Sequence, residues 1–314
     1  PARVRRALEI TALPVGTGAD AALTYGRGLC QADAAADALL KEMAAPDARA
    51  DARYEVSVRR ADGGPAGRGL LLREPADTAG REAVAASVTI TPRMHDDADA
   101  VGGLLDIEHR LELTPSAPWI TCPRSLLLPA GGRSFEMAVD VSALPPGSGL
   151  HYGEIAAVDA AARWRGPLAI VPITVIRPMA APAGGDVELD PALPLAPGAE
   201  ARFFVEAPAG ATWATLTVAA PAGAAPPRGL MLRLTAHAPH ARHTDTEART
   251  YVGVGPADDG RLTVAVAGGC TLEVTIAQFW SSAGKGPVAA RLSFHGLPAA
   301  PAAVALAGLA AGRK

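Results

Sequence analysis

In LDIEHRLEL, residues 105 to 113, apolar and polar side chains alternate without a break. Leu105, Ile107, His109, Leu111 and Leu113 fall on one face of an extended chain, and Asp106, Glu108, Arg110 and Glu112 on the other. The same period of two recurs in RYEVSV (Arg53 to Val58) and, from Val84 onward, in short runs at regular spacing. These are Trp119 to Cys122, Ser125 to Leu128, Ser134 to Val141 with Phe135, Met137, Val139 and Val141 in phase, Gly149 to Val158, and Leu168 to Ile176. Such spacing predicts one immunoglobulin-like sandwich. A second set follows at Arg202 to Ala207, Thr212 to Ala219, Leu230 to Thr235, Arg249 to Val254, Arg261 to Val266, Thr271 to Ala277 and Val288 to His295, and predicts a second sandwich of jelly-roll type. No internal repeat links the two sets.

The first residues read differently. VRRALEITALP carries Val4, Leu8 and Ile10 as a helical apolar stripe, and a second helix is expected from Gln31 to Ala45, broken by Pro46. The fold class expected is therefore mainly β behind a short α-helical segment. The expected divisions are helices over 1–47, a linker with one strand over 48–83, a first sandwich over 84–178, a Pro-, Ala- and Gly-rich linker over 179–200, a second sandwich over 201–297 and a flexible tail over 298–314.

Composition narrows the classes of function. A net charge of -3 over 314 residues gives no basic field for nucleic acid or an anionic membrane, so neither is expected as a partner. Cys30, Cys122 and Cys270 form no CxxC pair and no disulfide framework, which fits a reducing compartment and a cytoplasmic location. The stretch from Gly296 to Gly312 is mostly Ala and Gly and is interrupted by Pro298 and Pro301, so no membrane span is expected.

Candidate chemistry is thin. There is no Gly-x-Ser-x-Gly elbow, no Gly-Thr-Ser and no His-Gly-Thr, so no hydrolase triad assembles from recognisable pieces. Cys30 and Cys122 are read as inert thiols rather than nucleophiles. His237, His240 and His243 recur every third residue in HAPHARH; three imidazoles suit zinc, but Pro239 interrupts them and no cysteine completes the set, so an exposed polar loop is preferred. Asp258 and Asp259 fit a β-turn better than a calcium loop. The GRG and GVG patterns lack the lysine and helix of a phosphate loop. His109 is expected as a core histidine with its hydrogen bonds met, and Glu108 and Glu112 as solvated. Trp213 and Trp280 with Phe279 suggest either a sugar-stacking platform or, preferably, packing residues. No catalytic, cofactor-binding or metal residue is assigned, and no cofactor is expected.

VRRALEITA followed by YGRGLCQADAAADALL resembles the close of a subtilisin-like catalytic domain, where a helix is followed by a Gly-x-Gly turn and a final helix. RGLLLREP (Arg68 to Pro75), PWITCPRSLLL (Pro118 to Leu128), SGLHYGEIAAVDA (Ser148 to Ala160), GPLAIVPITVI (Gly166 to Ile176), FFVEAPAGATWATLTV (Phe203 to Val218) and QFWSSAGKGPVAARLSFHG (Gln278 to Gly296) resemble, in order, the central region of the tripeptidyl peptidase II family of serine exopeptidases. The resemblance implies helices of a catalytic domain, an immunoglobulin-like domain and a galactose-binding-like jelly roll. It implies a parent that releases tripeptides from free N-termini of oligopeptides, with the catalytic domain and further copies of itself as partners. The family's catalytic Asp, His, oxyanion Asn and Ser belong upstream of Pro1 and have no counterpart here, so the chain is expected to be a fragment without activity of its own. The alternative is a sandwich module that binds carbohydrate or protein.

Overall fold

The computed structural model describes residues 2–16, 21–44, 52–94, 107–223, 229–240, 247–255, 259–282 and 284–296. Those residues form two compact units, Pro1–Arg177 and Pro178–Lys314.

The first unit opens with α1 (Ala2–Thr11), α2 (Ala21–Tyr25) and α3 (Ala32–Ala44). It continues through β1 (Arg53–Arg60), β2 (Leu70–Leu72), α4 (Pro75–Thr78), β3 (Ala83–Arg93), β4 (Glu108–Pro115), β5 (Ile120–Thr121), β6 (Ser125–Pro129), β7 (Arg133–Asp140), β8 (Gly149–Asp159) and β9 (Pro167–Arg177). One sheet runs β1-β3-β7-β5 and the other β2-β9-β8-β4-β6. All pairings are antiparallel except β2 on β9.

The alternation read from the sequence is what closes this sandwich. Ile107, His109, Leu111 and Leu113 are buried while Glu108 and Arg110 are exposed; Leu105 and Asp106 lie outside the described residues. Phe135, Met137, Val139 and Val141 face the same core, with Val88 and Ile90 on one sheet and Ile155, Val171 and Ile173 on the other. Each fully buried Leu, Ile or Val contributes about 1.5 to 3 kcal/mol. Residues 48–83 hold more than the one strand expected, since Leu70 and Leu72 of β2 are both in this core.

The second unit comprises β10 (Met179–Ala180), β11 (Asp186–Leu193), β12 (Glu200–Glu206), β13 (Trp213–Ala219), β14 (Leu230–His237), β15 (Glu247–Val254), β16 (Gly260–Ala265), β17 (Thr271–Gln278) and β18 (Val288–His295). Its sheets run β10-β12-β17-β14-β15 and β11-β18-β13-β16. Leu216, Leu232, Leu234, Val274, Ile276 and Leu292 fill the space between them. The stretch 179–200, expected as a linker, holds β10 and β11. Val187 and Leu193 are buried in the core, while Pro191 falls where the register of β11 on β18 shifts between Asp190 and Leu193. Proline is tolerated there because β11 is an edge strand broken by a bulge.

Candidate functional site

The helical segment and the first sandwich meet at a joint built from side chains far apart in sequence. Its foundation is the turn in YGRG. Gly26 at φ 62° ends α2, its N–H donating to the Ala22 carbonyl at 3.0 Å. Three residues later, Leu29 exchanges backbone hydrogen bonds with Leu13 at 2.8 Å each way. Gly28, at φ 109°, allows that approach: a Cβ there would stand 2.0 Å from the Leu13 carbonyl oxygen. The Gly-x-Gly turn therefore closes a backbone bridge.

That bridge presents Arg27 to the sandwich. Its guanidinium donates to both oxygens of Glu154 on β8, at 3.0 and 3.2 Å, and the Tyr152 hydroxyl donates to the same carboxylate at 3.2 Å. Tyr152 and Glu154 lie on the face of β8 opposite buried Ile155 and Ala157. Burial of Arg27 works against its charge, but the hydrogen bond and charge of Glu154, with Tyr152, outweigh it and raise the pKa. Burial, followed by the Glu154 charge, pushes the Tyr152 hydroxyl up to about 12, so it stays a donor at neutral pH.

The second contact is buried. Glu42, near the end of α3, is 4 % exposed. Its Oε1 lies 3.8 Å from Arg6 Nη1 of α1 and 3.6 Å from Arg165 Nε in the β8–β9 turn. These are ion pairs beyond hydrogen-bond length, so this oxygen is held by opposing charge on two sides rather than by a hydrogen bond. Arg6 also donates to the Ala52 carbonyl at 3.2 Å, tying α1 to the start of β1. Beside the triad, Lys41 stands 4.7 Å over the Trp164 ring and Arg165 5.1 Å from it. Ile10 of α1 packs on Gly166, where a Cβ would be 2.4 Å from the Ile10 Cγ2.

The helical layer also leaves apolar surface exposed. Half of the exposed large hydrophobic residues among those described lie in residues 4 to 43, including Leu13, Tyr25, Leu29, Leu40 and Met43. An open groove of about 440 Å³ runs between Val4, Leu8 and Ala12 on one wall and Gly28 and Cys30 on the other.

His109 Nδ1 lies 2.7 Å from Asp159 Oδ2, and its Nε2 lies 2.7 Å from the Tyr54 hydroxyl. The order acid, imidazole, hydroxyl matches a hydrolase triad in sequence of groups, but the hydroxyl is phenolic and the histidine 2 % exposed, so the chain pins β1, β4 and the end of β8 together. Ser148 Oγ lies 2.6 Å from His151 Nε2 in an exposed turn, and among the described residues no carboxylate holds the second imidazole nitrogen. Burial pushes the Cys122 thiol up, which disfavours the thiolate; Cys30 is exposed at the groove.

Glu108 is exposed, and Glu112 pairs with Arg163. His237 ends β14 and His240 follows in a turn, while His243 and Asp258 lie outside the described residues. Among the described residues no three His, Cys, Asp or Glu gather as for a metal. Asp259 leads into β16. Trp213 stands on the sheet of β13, apart from the exposed Tyr251, Phe279 and Trp280, whose rings follow one another at 6.0 and 6.2 Å. They do not face the core: Trp280 is 75 % exposed.

Comparison with known proteins gives this arrangement a family. Residues 52–176 match the family model of the first Ig-like domain of tripeptidyl-peptidase II, and residues 195–284 match its galactose-binding domain-like model. The chain belongs to the tripeptidyl-peptidase II family. Tripeptidyl-peptidase 2 of Oryza sativa subsp. japonica is 33% identical over 290 residues, and that of Arabidopsis thaliana 32% over 283, each alignment covering 90% of this chain. A crystal structure of tripeptidyl peptidase 2 superposes with a TM-score of 0.76 at 26% identity, over 94% of this chain and 24% of that one. The chain spans about 20% of the length of these two plant relatives. What it matches in the tripeptidyl-peptidase II family is the non-catalytic Ig-like and galactose-binding-like domains. Among the described residues no helix is long and apolar enough to cross a membrane.

Proposed function

We propose that this chain is the structural centre of a tripeptidyl-peptidase II-type serine peptidase, in which α1 and α3 close the catalytic domain and the Ig-like sandwich braces them from behind. The parent releases tripeptides from free N-termini of oligopeptides in the cytoplasm. Its Asp, His and Ser lie in the catalytic domain, which covers the exposed apolar surface of the helical layer, and the parent assembles into a homo-oligomer. One observation carries this reading: the helical layer is bound to the sandwich through Arg27–Glu154 and Arg6–Glu42–Arg165, while its leucines and groove stay exposed.

The experiment is thermal inactivation of the full-length peptidase with Glu42→Ala. Loss of tripeptide release at lower temperature, with KM at low temperature unchanged, is expected. An unchanged inactivation profile would overturn the bracing role. Inhibitor-sensitive hydrolysis of a tripeptidyl amide by the 314-residue chain alone would overturn the non-catalytic one.

A further inference from the structure

The outer face of the sheet β10-β12-β17-β14-β15 carries polar and aromatic side chains that the bracing role leaves unused. Leu232, Leu234, Val274 and Ile276 fill the core, so Arg233, Thr235 and Thr275, which alternate with them, point outward. Register sets Thr235 between Thr275 and Arg249 in one row, and Arg233 beside Tyr251 in the next. Arg233, Thr235, Arg249 and Thr275, with Glu200 and Glu247, line a depression of about 220 Å³. Its hydrogen-bonding capacity is largely unmet. Arg233 Nε is buried with no hydrogen-bond partner among the described residues, and its Nη2 stands 3.9 Å from Glu200, beyond hydrogen-bond length. The ion pairs of Arg202, to Glu200 at 2.9 Å and to Glu273 at 3.4 Å, leave Arg249 and Glu247 without an ion-pair partner among the described residues.

One row further along, the same face turns apolar. Met231 lies against Gly253, where a Cβ would stand 3.8 Å from its Sδ, and the Phe279 N–H donates to the Met231 carbonyl at 3.0 Å. That bond holds Phe279 edge-on to Tyr251, with Trp280 beyond it, and all four side chains are exposed. The face thus joins unmet donors, an unmet carboxylate and bare aromatic rings. Three arginines and three glutamates share it, so no net charge selects an anion or a cation. We propose that this face binds a neutral oligosaccharide. The C–H face of a pyranose ring stacks on Tyr251 and Trp280, while its hydroxyls accept from Arg233 and Arg249 and donate to Glu247. The site lies wholly in the second unit and is independent of the bracing role, which lies in the first.

The test is isothermal titration calorimetry of the full chain with maltohexaose, cellohexaose, xylohexaose and a β-1,4-linked galactohexaose, and with a heparin hexasaccharide as the charged control. At least one neutral sugar should bind saturably. Trp280→Ala and Arg233→Met, each checked for an unchanged melting temperature, should weaken that binding about tenfold. Trp280→Phe keeps an aromatic face and should retain most of it, and Trp213→Ala, on the opposite sheet, should leave it unchanged. Saturable binding of none of the neutral sugars would overturn the site. So would binding that survives both Trp280→Ala and Arg233→Met in folded protein, or a preference for the heparin fragment.

Discussion

The helical layer and the Ig-like sandwich belong to one compact unit but are held by opposite means. The sandwich buries Leu72, Ile90, Leu111, Leu128, Ile155 and Ile173 almost completely between two sheets. Among the described residues the helices bury only Ala7 and Ala35 of their apolar side chains, and their most buried charged group is Glu42. An alanine methyl contributes little transfer free energy, and helices of ten and thirteen residues are marginal alone. What fixes the layer is a backbone bridge, a bidentate ion pair and a buried triad of charges. The difference teaches that charge and backbone contacts can fix a layer to a sandwich while much of its apolar surface stays exposed.

The largest effect that breaks this contrast is expected from Glu42→Ala. Removing the carboxylate leaves two poorly exposed guanidinium groups unbalanced, at a cost of about 3 to 5 kcal/mol. Urea unfolding followed by helical circular dichroism should show the helices melting first, with the sandwiches intact. Replacing the triad together, Arg6→Met, Glu42→Leu and Arg165→Met, should be neutral or stabilising, because desolvated charges give way to apolar packing. Leu111→Ala in the sandwich core should instead cost about 2 to 5 kcal/mol and unfold the sandwich itself, seen as a lowered urea midpoint for β-sheet signal.

A smaller loss sharpens the role of the turn. Gly28→Ala demands a side chain at φ 109° with its Cβ against a carbonyl oxygen, and should cost about 1 to 3 kcal/mol, confined to the helical transition. The smallest effect is electrostatic and belongs to the sandwich. Asp62, in the turn after β1, accepts from Arg60 at 2.7 and 2.9 Å and from Arg81 at 2.7 Å. The Arg60 hydrogen bonds, opposed by desolvation and aided by Arg81, hold its carboxyl at about 2, below the ordinary 3.8. Because the folded pKa is depressed, this stabilisation is complete above about pH 4 and is lost as pH falls through about 2. Acid titration of the melting temperature should show that slope, and Asp62→Asn should remove it.

Much of the sandwich architecture was legible because it rests on local alternation. Most strand runs between Arg53 and His295 carry their own period of two, so β4, β7 and β17 could be placed without knowing their neighbours. β11 was missed because Asp190 and Pro191 sit at a bulge and break the alternation that identifies a strand. The joint was not legible at all. Arg6, Glu42, Arg27, Glu154 and Arg165 carry no common motif, and only the fold brings a helix end, a Gly-x-Gly turn and the β8–β9 turn together. The Gly-x-Gly pattern itself was visible, yet its cause lies in the carbonyl of Leu13, which no local rule connects to Gly28. His109 shows the opposite case: on an apolar face it invites a buried, satisfied imidazole, and Asp159 and Tyr54 meet both its nitrogens.

The most direct measurement of the central claim is native-state hydrogen exchange on the whole chain, comparing α1 and α3 with β8 and β9. If the helical layer is held by charges and leaves much of its apolar surface exposed, its amides should exchange through a local opening of lower free energy than the sandwich strands, and Glu42→Ala should widen that gap. Equal protection of the helices and the strands, unmoved by Glu42→Ala, would contradict the account.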